Sequence, residues 1–175
     1  MKSNAWILLA CGLTLGVAQA QSEGLVSVDL GMGIAGPGEH AWVPVTLSAG
    51  HASRVGRIFL EVSFPRQFVS FNSVIQVAAA ESFRLDIKTE VQEKAGEDVL
   101  RIELSSPSPF PQGELIELQF DVSQEDLPNQ EFNVKNLEQR VETLEGEVLE
   151  ARGLDGLIIV AIFGEAIPAC FFYMH

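Results

Sequence analysis

The residues with chemistry to offer are few and scattered. Beyond the N-terminal apolar segment they include three histidines, His40, His51 and His175, and one cysteine, Cys170. A helical zinc motif needs two histidines four residues apart, and a nucleophile elbow needs a serine framed by glycines; neither pattern surrounds these residues. Cys170 and His175 supply two ligands where a closed zinc site takes four. Glu93, Glu97 and Asp98 lie close enough in sequence to gather around calcium, without the ordered ligand spacing of a calcium loop. Gly31-x-Gly33-x-x-Gly36 has the letters of a dinucleotide-binding turn. That turn works only between a strand and a helix, with an acidic residue about 20 positions on. Here Pro37 and a second strand pattern follow instead. Carboxylates abound, yet no local sequence marks a glycosidase pair, and a solvated acidic face is the plainer expectation. Trp42 and Tyr173 are the aromatics, phenylalanines aside, that could offer a sugar a flat platform. The expectation is therefore a chain that is not an enzyme and has no catalytic, metal or cofactor site. No particular binding residues are marked.

The elements that would position these residues are mostly strands. Val26, Val28 and Leu30 alternate with polar residues, then Gly31 to Gly36 forms a glycine-rich connection into the turn Gly36-Pro37-Gly38-Glu39. Ala41, Val43, Val45 and Leu47 share one face of the next strand, with Trp42 the exception to its alternation. Pro44 has no N–H for a ladder, so its nitrogen should face an open edge or a bulge. Arg57 to Phe64 alternates again, and Pro65 to Phe68 is a tight turn carrying an apolar plug. Val69–Phe71 and Val74–Val77 are short extended pieces, and Ala78–Glu81 a brief helical turn. Phe83, Leu85, Ile87 and Val91 point inward from a strand that hairpins through Gln92–Glu97 into Val99–Leu104. Three prolines make Ser105–Gln112 a loop, and Ile116, Leu118, Phe120 and Val122 line the strand after it. The phenylalanines fall mostly at inward positions.

Residues 133–152 admit two structures. Val134, Leu137, Val141, Leu144 and Val148 follow a heptad spacing of 3 and 4, as in an amphipathic helix. Gly146 interrupts that helix, and strands around a Glu145-Gly146 turn would complete a sandwich, so strands are favoured. Gly156–Val160 is the closing strand. Turns every 8–12 residues predict an all-β jelly-roll sandwich of about nine strands.

The two ends differ from the middle. Lys2, the apolar run Ala5–Ala18 and Ala18-Gln19-Ala20 fit a cleaved secretory signal peptide over 1–20. The run falls short of the roughly 20 residues a membrane span needs. Leu8-Leu9-Ala10-Cys11 is a looser lipoprotein alternative. The domain occupies 21–160, and 161–175 is an apolar tail; Glu165 and Pro168 within it disfavour insertion in a bilayer. Packing on the domain's own sheet or on a partner is the expectation for the tail. All 24 Asp and Glu but only 10 of the 11 Lys and Arg lie beyond residue 20, leaving a formal charge near −14. That balance excludes nucleic acid and anionic membrane as partners. After cleavage Cys170 stands alone, so no internal disulfide forms.

Taken in order, Val26-Ser-Val-Asp-Leu30, Gly36-Pro-Gly-Glu39, Val43-Pro-Val-Thr-Leu47, Val55 to Val62, Pro65 to Phe71, Gly113 to Val122 and Gly156 to Val160 resemble the cohesin family. The family is related to the carbohydrate-binding sandwiches. The resemblance implies a nine-strand jelly roll and a non-catalytic role. One sheet face would dock a protein partner, the dockerin, in secreted or cell-surface glycan-degrading assemblies. The family's tyrosine–aspartate–proline turn reads Ser63-Phe64-Pro65 here. One such module is present, with no scaffold array and no dockerin calcium loop, so a stand-alone cohesin-like protein at the cell surface or in the periplasm is the expectation. Direct contact with polysaccharide is the alternative.

Overall fold

The computed structural model describes residues 25–50, 54–77, 83–124 and 130–161. The signal peptide, the Ala78–Glu81 turn, His51, and the tail beyond Ala161 with Cys170, Tyr173 and His175 lie outside those residues. Every regular element described is a strand: β1 (Val26–Leu30), β2 (Met32–Ala35), β3 (His40–Ser48), β4 (Val55–Pro65), β5 (Val69–Gln76), β6 (Asp86–Glu93), β7 (Glu97–Ser105), β8 (Gly113–Val122), β9 (Gln130–Thr143), β10 (Val148–Leu149), β11 (Ala151–Arg152) and β12 (Gly156–Val160). One sheet runs β11-β1-β3-β8-β5, the other β2-β12-β9-β4-β7-β6 with β10 paired to β9. Counting β1 and β2 as one segment, and leaving out the two-residue β10 and β11, gives the nine strands of the expected jelly roll.

Alternation places the core. Val43, Val45, Leu118 and Phe120 of the smaller sheet are fully buried, as are Ile58, Leu60, Val62 and Ile102 of the larger. Phe120 meets Phe64 edge-on at 5.1 Å between ring centres, so the two sheets are pinned by an aromatic pair. Phe68, the expected plug, stacks on Phe132 at 4.8 Å. Trp42 is no exception to its strand: β3 alternates strictly and Trp42 is one of its outward residues.

The Gly31–Gly36 stretch is not a plain connection. Its Met32–Ala35 portion is β2, which leaves the smaller sheet and pairs in parallel with β12 of the larger one. The Gly31 N–H donates to the Pro44 carbonyl at 2.8 Å, while the Gly31 carbonyl accepts from Leu157 N–H at 3.1 Å. The N–H that Pro44 lacks thus falls where the ladder opens, as its chemistry requires. Gly33 lies against the β3 backbone: a Cβ there would sit 2.8 Å from the Trp42 carbonyl oxygen. The glycines serve close backbone approach, not phosphate binding.

Other departures have similar causes. Val69–Phe71 and Val74–Val77 belong to one strand, β5, broken in register between Phe71 and Ser73. Phe83 and Leu85 precede β6 yet pack on the core. Val91 shares the inward side of β6 with Ile87 but is 44% exposed. It sits on β6, the edge strand of the wider sheet, which is paired on one side alone. Residues 130–143 form one long strand, with Gly146 (φ 88°) turning the chain into β10. Leu137 and Val148 of the heptad spacing are exposed, so the helix alternative is overturned.

Candidate functional site

The outward residues of the larger sheet make a flat, charged face. Register across β9, β4, β7 and β6 sets Arg140, Phe59, Glu103 and Lys88 in one row, and Glu138, Glu61, Arg101 and Glu90 in the next. Phe59 sits near the middle, half-buried among charges. Arg57 reaches Glu142 at 3.4 Å and Glu103 at 3.6 Å, and Lys88 shares Glu103 at 3.7 Å. Arg140 also holds Glu142, and Arg101 binds Glu61. Arg57, Glu103, Glu138, Arg140 and Glu142 line a shallow hollow of about 280 Å³ around Phe59. Each exposed pair is worth about 0–1 kcal/mol to the fold. Their stronger effect is to hold an ordered pattern of charge around one apolar anchor. Such a pattern selects a complementary partner, and aromatic and arginine side chains are enriched at interfaces.

At the turn end of this sheet, Lys135 pairs with Glu97 at 2.8 Å. The ammonium holds the Glu97 carboxyl below its ordinary value, and the carboxylate raises Lys135 in return. Asp98 and Glu93 both hold Arg66, at 2.7 and 3.1 Å, which raises the guanidinium further. The carboxylates considered for calcium are therefore each engaged by a cation. Among the described residues no group of three or more His, Cys, Asp or Glu side chains is placed to hold a metal ion.

The opposite face carries the other candidates. His40 opens β3 and its Nδ1 bonds Asp121 at 2.7 Å. Trp42 lies two residues on, directly across from Gln119 of β8. On this sheet Glu114 is pushed above the ordinary carboxylate range, first by burial and then by the neighbouring Glu117. Phe59 and its ring of charges went unmarked in the sequence. The usable signal was local: in Arg57-Ile58-Phe59-Leu60-Glu61 the alternation that buries Ile58 and Leu60 turns Phe59 outward between charges.

No family model and no curated protein matches the chain. Solved structures do. A non-cellulosomal cohesin from the hyperthermophilic archaeon Archaeoglobus fulgidus is 17% identical, with a TM-score of 0.61 over 86% of this chain and 99% of its own. The third cohesin of ScaC from Acetivibrio cellulolyticus, solved in complex with the ScaB dockerin, is 18% identical, with a TM-score of 0.65 over 79% of this chain and 100% of its own. CaCohA2 from Clostridium acetobutylicum is 19% identical, with a TM-score of 0.60 over 82% and 94%. The chain is similar to all three in fold, and that fold is the cohesin jelly roll.

Proposed function

We propose that the chain is a secreted, non-catalytic, cohesin-like module that binds a protein partner of the dockerin type through the outer face of its larger sheet. The observation that carries this is Phe59, half-buried at the centre of an ordered lattice of ion pairs on a four-strand surface. The fold supports it, since several solved proteins that share it are cohesins in complex with dockerins. Export rests on the signal-peptide pattern over 1–20, ahead of the domain over 21–160 and the apolar tail over 161–175. The setting that fits is a polysaccharide-degrading or cell-surface assembly. A second function, direct contact with polysaccharide, has one observation in its favour: Trp42 on the opposite sheet stands beside amide and hydroxyl side chains.

Titration calorimetry of the chain from Gln21 against a panel of dockerin modules from the same genome tests the main proposal. At least one should bind, and Phe59→Ala should weaken it about 10-fold or more, the loss typical of an interface anchor. Phe59 points away from the core, so the variant's melting temperature should stay close to the parent's. Binding indifferent to Phe59→Ala, or no binding by any dockerin, would overturn the assignment. Mass spectrometry of the exported protein should find Gln21 at its N-terminus.

A further inference from the structure

The outer face of the smaller sheet is built differently from the docking face. In register across β3, β8 and β5, one row holds His40, Asp121 and Ser70, and the next holds Trp42, Gln119 and Ser73. No lysine or arginine stands at any of these positions, and Glu117 comes next along β8. The larger sheet, by contrast, presents Arg57, Lys88, Arg101 and Arg140.

The polar groups here are held in place. Asn72, the extra residue at the irregularity in β5, donates its Nδ2 to both Asp121 oxygens, at 2.8 and 3.0 Å. The same carboxylate meets His40 Nδ1 at 2.7 Å, which leaves the imidazole Nε2 turned away from it. Ser73 Oγ donates to Gln119 Oε1 at 2.6 Å, leaving the Gln119 Nε2 donor for another partner. His40 and Asp121 remain about half exposed, at 53% and 44% of their side chains. Beside a partly exposed indole, then, lie fixed donors and acceptors of both kinds on one sheet face. A pyranose needs that combination: an aromatic surface for its C–H face, and planar groups for hydroxyls that both donate and accept. Arg66 borders Ser70 and Asp121 at one end of the strip but is held by Glu93 and Asp98, and the strip's own carboxylates, Asp121 and Glu117, select against an acidic sugar.

We propose that this strip binds a neutral polysaccharide chain, with Trp42 as the stacking platform and Gln119, Asn72 and the His40–Asp121 pair bonding its hydroxyls. The proposal rests on the second reading above, direct contact with polysaccharide, and not on the protein-docking assignment, because the site lies across the sandwich from Phe59. A chain with both would tether a docked partner to a glycan.

In the chain from Gln21, Trp42 is the sole tryptophan, so its fluorescence reports the site directly. Cello-, xylo-, manno- and chito-oligosaccharides, with oligogalacturonate as the acidic probe, are titrated while Trp42 emission is followed. Affinity electrophoresis in the matching polysaccharides runs alongside. At least one neutral glycan should give a saturable change and retard the protein. Gln119→Ala and Asn72→Ala should each weaken it several-fold, and Trp42→Ala should abolish retardation. Phe59→Ala should leave glycan binding unchanged, and Trp42→Ala should leave dockerin binding unchanged. No response to any neutral probe, equal binding by Gln119→Ala and Asn72→Ala, or preference for oligogalacturonate would overturn the proposal. Failure of dockerin binding alone would leave it standing.

Discussion

A half-buried phenylalanine and a partly exposed tryptophan occupy comparable positions on opposite faces, and their neighbours set them apart. Phe59 is ringed by paired charges and Trp42 by amides, hydroxyls and one His–Asp pair. Two glycines matter at the same scale. Gly33→Ala would place a methyl 2.8 Å from the Trp42 carbonyl, so a loss of about 1–3 kcal/mol is expected in urea unfolding. Gly146 holds φ at 88°, and Gly146→Ala should cost about 1 kcal/mol although nothing lies within 4 Å of the added Cβ. The Glu97–Lys135 pair gives a pH signature. The lowered carboxyl contributes stability above the ordinary carboxylate range and loses it as pH falls through the folded value. The raised ammonium contributes below the ordinary lysine range and loses its part as pH rises through the folded value. The pair therefore stabilises between those limits. Melting temperatures of the parent and Lys135→Met should differ at neutral pH and converge as acid protonates Glu97, below the ordinary carboxylate range. A constant difference across that range would mean the pairing contributes nothing.

At the level of elements, β3 and β8 form the middle of the smaller sheet, each paired on both sides. Their inward residues are almost wholly inaccessible, so deletions there leave cavities that surface residues cannot fill. Leu118→Ala should lose about 2–5 kcal/mol by chemical denaturation, and Phe120→Ala about 3–5 kcal/mol, since its ring also contacts Phe64 and Phe71. A loss below 1 kcal/mol at either position would contradict the packing described. Gln119 lies between them in sequence and points outward, so Gln119→Ala should alter stability by no more than about 0.5 kcal/mol. That contrast between neighbours separates the sheet's structural side from its proposed binding side.

For the whole molecule, the parallel pairing of β2 with β12 ties the two ends of the described domain together. Most pairs join strands far apart in the chain, as with β4 and β9, so the sandwich should unfold as one unit. Folding should be slow, in milliseconds to seconds, as for other domains dominated by non-local pairing. Stopped-flow refolding checks this; a microsecond phase carrying the full amplitude would contradict it. The two outer faces are separated by the core, and this makes simultaneous occupation by a protein and a glycan geometrically open.

Much of this architecture could be recognised before any coordinates. A strand's side chains alternate, so Val43, Val45, Leu118 and Phe120 declare their inward side by local pattern alone, and Pro44 declares an interruption in a ladder. The parallel closure by β2 was not legible, because Gly31 and Gly33 break up the stretch that holds Met32 and Ile34, and its partner β12 lies more than 120 residues away. Residues 133–152 carried both a heptad and a strand pattern, and burial by neighbouring strands settled the matter in favour of β9. Neither proposed binding face could be assembled from the chain alone. Outward positions feel no packing constraint, and apart from the β6–β7 hairpin their grouping into rows depends on the register between strands about 40 to 80 residues apart. The identities of Phe59 and Trp42 were written in the chain; which charges, amides and hydroxyls surround each was decided only when the sheets formed.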